Sequence, residues 1–160
     1  MKIRKIRKSD RSKLFALLDE FHNKFHRQEL LVSSPIFPLV KYTNPKKSVE
    51  EAIGEMFKKD HISFVAEDRR KLIAHISGKI IERKGKVLNK EGYIDEWFVK
   101  KEYRGKGVGK KLYEVLLQEF KKRRCTHIGL DTYAENKEAR KLYRKLGFKN
   151  YILIMKQALD

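Results

Sequence analysis

The chain is poor in the residues that staple or interrupt a fold: one cysteine, three prolines and one tryptophan in 160 residues. A lone Cys125 excludes an internal disulfide framework. Basic residues in Met1–Asp10 are followed by no apolar core, so no secretory leader is expected, and a reduced thiol then predicts the cytoplasm. No apolar run approaches the roughly 20 residues of a membrane-spanning helix, so no membrane partner is expected. Internal repeats and low-complexity tracts are missing too. Acidic residues are scarce, 21 against 39 Lys and Arg, leaving a net charge of +18. Such a field draws polyanions, whether phosphorylated cofactors, nucleic acid or anionic lipid. A heavily charged surface is equally a device for solubility or heat resistance. No recognition-helix or RNA-binding signature favours nucleic acid. The length suits one domain spanning residues 1–160, large enough to bury about 70% of its unfolded surface.

Alternating Ile and basic residues over Lys2–Arg7 predict a first strand. Ser9 is placed to cap a helix carrying Leu14, Leu17, Leu18, Phe21 and Phe25 at helical spacing. The pattern dissolves over Gln28–Lys47, where Pro35, Pro38 and Pro45 break regular structure, and Val49–Lys59 reads as a second helix. His61–Glu67 and Leu72–Glu82 flank the turn Asp68-Arg69-Arg70-Lys71 and predict a hairpin. A strand is expected over Gly92–Lys100, a helix over Gly107–Arg123 and a strand over Thr126–Tyr133. A helix over Asn136–Leu146 and a closing strand over Phe148–Lys156 complete the order. Hairpins early and crossovers late imply an α/β (α+β) mixed sheet with helices on its faces.

The most informative stretch is Val99-Lys100-Lys101-Glu102-Tyr103-Arg104-Gly105-Lys106-Gly107-Val108-Gly109-Lys110. A strand enters a glycine-rich turn that opens directly into an amphipathic helix. Glycines let backbone N–H groups approach a ligand, and a helix start adds the positive end of its dipole. Arg104, Lys106 and Lys110 add charge, so a diphosphate suits the cradle. A nucleotide-binding P-loop would need glycine at position 104, which is Arg104, and Ser or Thr where Lys111 stands. A dinucleotide fingerprint fails at Lys110 in one register and at Leu112 in the other.

Arg104-Gly105-Lys106-Gly107-Val108-Gly109 resembles the Arg/Gln-x-x-Gly-x-Gly/Ala motif of the GNAT superfamily of N-acetyltransferases. Asn136, Ala139, the pair Leu142-Tyr143 and then Gly147-Phe148 resemble that superfamily's second signature. The resemblance implies a mainly antiparallel sheet with a splayed parallel strand pair, flanked by about four helices. It implies acetyl-CoA as co-substrate, bound through its diphosphate by Arg104, Gly105, Lys106, Gly107, Val108, Gly109 and Lys110. Its pantetheine arm would lie along the strand at Phe98 and Val99, near Asn136 and Ala139, with Tyr143 at the thioester sulfur. The amine would attack directly, with no acyl-enzyme and no metal.

An amine of pKa near 10.4 must lose a proton to attack at neutral pH, which an acidic side chain can accept. Asp95 and Asp131 are the candidate bases, each on a strand that would border the cleft, and for each an ion pair with a surface cation is the competing reading. Alternation turns Glu96 to the opposite face from Asp95, unless the strand bulges. Tyr143 is the candidate acid for the departing thiolate, although helical periodicity alone makes it a core residue. Phe37, Tyr42, Tyr93 and Glu96 are expected to shape the acceptor pocket, with Trp97 either there or in the core. His22 and His26, four apart, read as a satisfied histidine pair rather than metal ligands, since no cysteine or acidic partner accompanies them. Cys125 follows a basic run that would lower its pKa, but no His-Asp pattern marks it as a nucleophile. The +18 field would repel a polycation, which favours a small amine or a peptide N-terminus as acceptor. A non-catalytic acyl-CoA-binding module and a basic nucleic-acid binder are the alternatives, and a dimer remains open.

Overall fold

The computed structural model describes residues 1–25 and 42–157. Five strands lie side by side in chain order: β1 (Lys2–Lys5), β2 (His61–Asp68), β3 (Lys71–Glu82), β4 (Lys90–Val99) and β5 (His127–Leu130). The first four pair antiparallel, and β4 pairs β5 in parallel. The helices described are α1 (Arg11–Asp19), α2 (Pro45–Met56), α3 (Val108–Lys122) and α4 (Lys137–Lys145).

Strand alternation gives the sheet two apolar faces, and helices cover both. On one face Ile62, Phe64, Ala74, Ile76 and Ile94 meet Leu112, Leu116 and Phe120 of α3. On the other, Val65 and Phe98 meet Leu14, Leu17 and Leu18 of α1 and Val49, Ile53 and Met56 of α2. Glycine sets the spacing of α3 on the sheet. A Cβ at Gly78 would lie 2.7 Å from the Phe120 ring and one at Gly92 only 2.5 Å from it, so the ring occupies the space two side chains would need.

Several local expectations change. Asp10, not Ser9, organises the start of α1: its carboxylate accepts Arg7 N–H at 2.8 Å and a forked pair from the Arg4 guanidinium at 2.7 and 2.9 Å. That guanidinium holds the Asp10 carboxyl below the usual carboxylate range. The helical repeat of α1 widens into a π-helical turn over Glu20–Phe25. Pro45 opens α2 instead of breaking it, because proline's missing N–H is not needed at a helix start, and Asn44 caps the helix by accepting from Lys47 N at 3.1 Å. The Asp68–Lys71 hairpin forms as expected, with φ +47° at Arg69 and +65° at Arg70.

The largest departure is at the end of the chain. Gly147, at φ +93°, turns it out of α4, and residues 150–157 form no strand. Strand propensity is realised only against a partner's backbone, and no ladder joins this segment to β5. Tyr151–Met155 are consequently 72–94% exposed.

Candidate active site

The parallel seam is short. β4 and β5 are matched only from Glu91↔His127 to Ile94↔Leu130, after which β5 ends while β4 runs on to Val99 paired with β3 on its other edge. Residues 95–99 of β4 thus present an edge unpaired by β5. Asp95 and Asp131 are the first residues beyond the last matched pair, one on each side of the opening.

The free edge leads through a single 3-10 turn, Lys101–Tyr103, into the glycines. Gly105 and Gly107 have φ of +73° and +77°, the left-handed region in which a side chain is strained. No described residue lies within 4 Å of where a Cβ would stand at either, so among the described residues the space over the turn is open. Gly107 is the N-cap of α3 and provides no side-chain cap. The first helical bond there is Lys111 N–H to Gly107 C=O at 3.1 Å, so the preceding amides have no partner within the helix. Their dipole field is worth about 0.3–1 kcal/mol to an exposed anion, and up to ~2 kcal/mol when partly buried. A diphosphate fits this cradle.

The expected charges are less gathered than the sequence implies. Arg104 folds back on β4: its Nε donates to Val99 C=O at 2.9 Å and its guanidinium lies 6.0 Å from the Phe98 ring centre. The Val99 carbonyl is therefore already engaged. Lys106 lies over the Tyr103 ring at 5.6 Å, and Lys110 is 3.9 Å from Glu114. The side chains of Val108 and Phe98 are core, so only their backbones are available to a ligand. Asn136 is buried and uses its Oδ1 to cap α4 at Ala139 N–H, 3.1 Å away, rather than facing a ligand through that atom.

A bulge reorganises the middle of β4. Ser77 pairs with Glu96 and Gly78 with Ile94, leaving Asp95 as the extra residue. Alternation is interrupted there. Glu96 shares a face with its partner Ser77, and the Ser77 hydroxyl donates to Asp95 Oδ1, so both carboxylates turn to the α1 side of the sheet. Each meets an imidazole: Asp95 Oδ2 lies 3.3 Å from His61 Nε2, and Glu96 Oε1 lies 3.0 Å from His22 Nε2. The competing partner for Asp95 is thus a histidine and a serine, not a lysine or arginine. Asp131 accepts from the Tyr93 hydroxyl, and burial together with that bond pushes the Tyr93 pKa up.

Tyr143 lies on the other face. Its ring stacks on Trp97 at 5.8 Å, and Trp97 stacks in turn on Tyr113 of α3 at 5.4 Å. Burial, and secondarily Asp131, raise the Tyr143 pKa and keep the phenol protonated. Trp97 joins the sheet to the phenol instead of lining a pocket on the carboxylate side. Tyr42 is exposed, and Phe37, with His26, lies outside the described residues. Cys125 has its thiol pKa raised by burial, which outweighs Lys90 and Arg123. No cluster of three metal-ligating side chains occurs among the described residues. Alternation alone could not find His61, Ser77 and His22 as neighbours of the carboxylates, because the bulge that turns Asp95 and Glu96 together depends on pairing with β3.

The unpaired strand edge, the glycine cradle and the phenol on α4 occur in a chain that is similar to known acetyltransferases. Over 89 residues, 56% of this chain and 58% of the other, the sequence is 37% identical to N-alpha-acetyltransferase 30 of Schizosaccharomyces pombe. It is 31% identical over 103 residues to glucosamine 6-phosphate N-acetyltransferase of Arabidopsis thaliana, covering 63% of this chain and 67% of that one. The fold superposes with a TM-score of 0.71 and 19% identity on an aminoglycoside N-acetyltransferase solved in complex with CoA, covering 99% and 93% of the two chains. The family model described as "Acetyltransferase (GNAT) family" matches residues 19–148, which takes in both faces of the sheet and every group named above on β4, α3 and α4. The chain belongs to the GNAT family of acetyltransferases.

Proposed function

We propose that this protein transfers the acetyl group of acetyl-CoA to a primary amine, either a small molecule or a peptide N-terminus, by direct attack. The observation that carries the reading is the β4 edge left unpaired after Ile94 and continuous with an uncapped, glycine-lined helix start. The amides at 105–110 would hold the diphosphate. The carboxylates and the phenol sit on opposite faces of β4 with the free edge between them. An amine arriving from the Asp95 side and a thioester on the Tyr143 side would therefore meet across that edge.

Asp95 is the base in this reading. Ser77 and His61 orient it, whereas Asp131 is occupied by Tyr93. Two carboxylates on one face also make a local acidic patch on a cationic molecule, suited to an ammonium group. The relatives named for peptide N-termini and for an amino sugar both use amine acceptors, in keeping with this class. Tyr143 would give its proton to the departing thiolate. Thiols are already tolerable leaving groups, so Tyr143→Phe should lower kcat only modestly, about 10-fold.

The test is calorimetry with CoA, followed by mass spectrometry of an amine and peptide panel incubated with acetyl-CoA. Micromolar CoA binding and one or more acetylated amines are expected. Absence of CoA binding by the folded protein would refute the transferase reading, and full kcat in Tyr143→Phe would remove the acid role.

A further inference from the structure

Beyond Ile94, β4 has lost β5 on one edge and keeps β3 on the other. On the α1 side of this stretch, three consecutive residues of the π-helical turn meet three alternate residues of the strand and its exit. Glu20 Oε2 lies 2.8 Å from Lys100 Nζ, the Phe21 ring centre 4.7 Å from that of Phe98, and His22 Nε2 3.0 Å from Glu96 Oε1. Alternation places Glu96, Phe98 and Lys100 on one face. The helix that begins as α1 changes to π-helical bonding at Glu20, the first of the three. Such widened turns recur at functional sites.

The contact nearest the bulge differs from the other two. The His22 and Glu96 side chains are only 13 and 16% exposed, so salt screens their attraction less than that of a surface pair. The carboxylate oxygen nonetheless lies off the line of the ring N–H, and His22 Nε2 is buried with no hydrogen-bond partner among the described residues. A pair serving stability alone would align that bond, because a buried nitrogen left without one is costly. Glu96 also carries the same charge as Asp95, its neighbour on the same face, and needs a counterpart to stay there. We infer that His22 is a positioning residue for the acceptor: it holds Glu96 beside Asp95 as the second anion that receives the incoming ammonium. This rests on the proposed amine transfer at Asp95. The Glu20–Lys100 ion pair and the Phe21–Phe98 contact fasten the turn to the strand, and His22 sets the carboxylate from that base. Tyr143 stands on the opposite face of β4, so the arrangement acts on the amine and not on acetyl-CoA.

The experiment measures kcat and KM for acetyl-CoA and for the fastest amine of the panel, with CoA calorimetry on each variant. His22→Leu should raise the amine KM about 10-fold and leave the KM of acetyl-CoA and the affinity for CoA unchanged. His22→Gln, whose amide nitrogen can stand where Nε2 stands, should remain within about 2-fold of wild type. Glu96→Gln should match His22→Leu, and the double variant should be no worse than Glu96→Gln alone, since His22 acts through that carboxylate. His22→Asn, too short to reach Glu96, replaces His22→Leu in the comparison if the leucine variant no longer binds CoA. An unchanged amine KM, an equal rise in both KM values, or additive losses in the double variant overturns the positioning role. Loss of CoA binding in both His22→Leu and His22→Asn overturns it too, marking the residue as structural. A wild type that binds CoA but acetylates no amine removes instead the reading on which the role stands.

Discussion

At the scale of single residues, His75 shows how the buried polar side chains constrain the protein. It sits on β3 with no exposed surface, and among the described residues neither ring nitrogen has a hydrogen-bond partner. Burial, with a smaller repulsion from His22, pushes its pKa down to about 3. The unfolded chain binds a proton near pH 6.5, but the folded one stays neutral. Stability is therefore full above pH 6.5 and falls as the pH drops from there towards 3, with a slope of up to about 1.4 kcal/mol per pH unit from this residue. Urea unfolding between pH 7 and 4 measures it, and His75→Gln should flatten that slope. An unchanged slope in the variant would show that another group governs acid sensitivity. The glycines at 105 and 107 were legible in the sequence because the left-handed backbone they supply is a property of the residue itself. The facing of Asp95 and Glu96 was not, since it depends on how β3 and β4 register.

At the scale of elements, the two hairpin arms were legible from alternation, and their turn is formed by residues poorly suited to it. Arg69 and Arg70 both hold positive φ, a backbone that asparagine and glycine accept more easily. Arg70→Gly should relieve this and stabilise the fold by about 1 kcal/mol, shifting the urea midpoint upward with little change in slope. A lowered midpoint would mean that the arginine side chain contributes more than its backbone costs. α3 was also readable, from apolar residues at helical spacing and a glycine start, and it falls within a residue of the expected range at each end. The start of α2 lies four residues before the expected Val49 and its end three before Lys59, because proline marks both helix starts and helix breaks, and the Asn44 cap makes Pro45 a start. The closing strand failed for a related reason: Tyr151–Met155 have the composition of a strand, but composition cannot supply a partner edge. The order of the other elements, and hence the family, survived these errors because each is fixed by its own pattern.

At the scale of the molecule, two features oppose each other. A charge of +18 keeps copies apart, while the bare Tyr-Ile-Leu-Ile-Met run invites them together. Repulsion reaches about 10 Å at 0.1 M salt and only about 3 Å at 1 M, whereas apolar attraction does not weaken with ionic strength. The protein should stay monodisperse in dilute salt and form larger species as salt rises, with Ile152→Lys suppressing the effect; light scattering across a salt series reads this directly. Particle size independent of salt would show that the run is not adhesive. The exposed 151–155 run thus makes the colloidal behaviour of this protein a function of ionic strength, and storage and assay buffers will select which population is being observed.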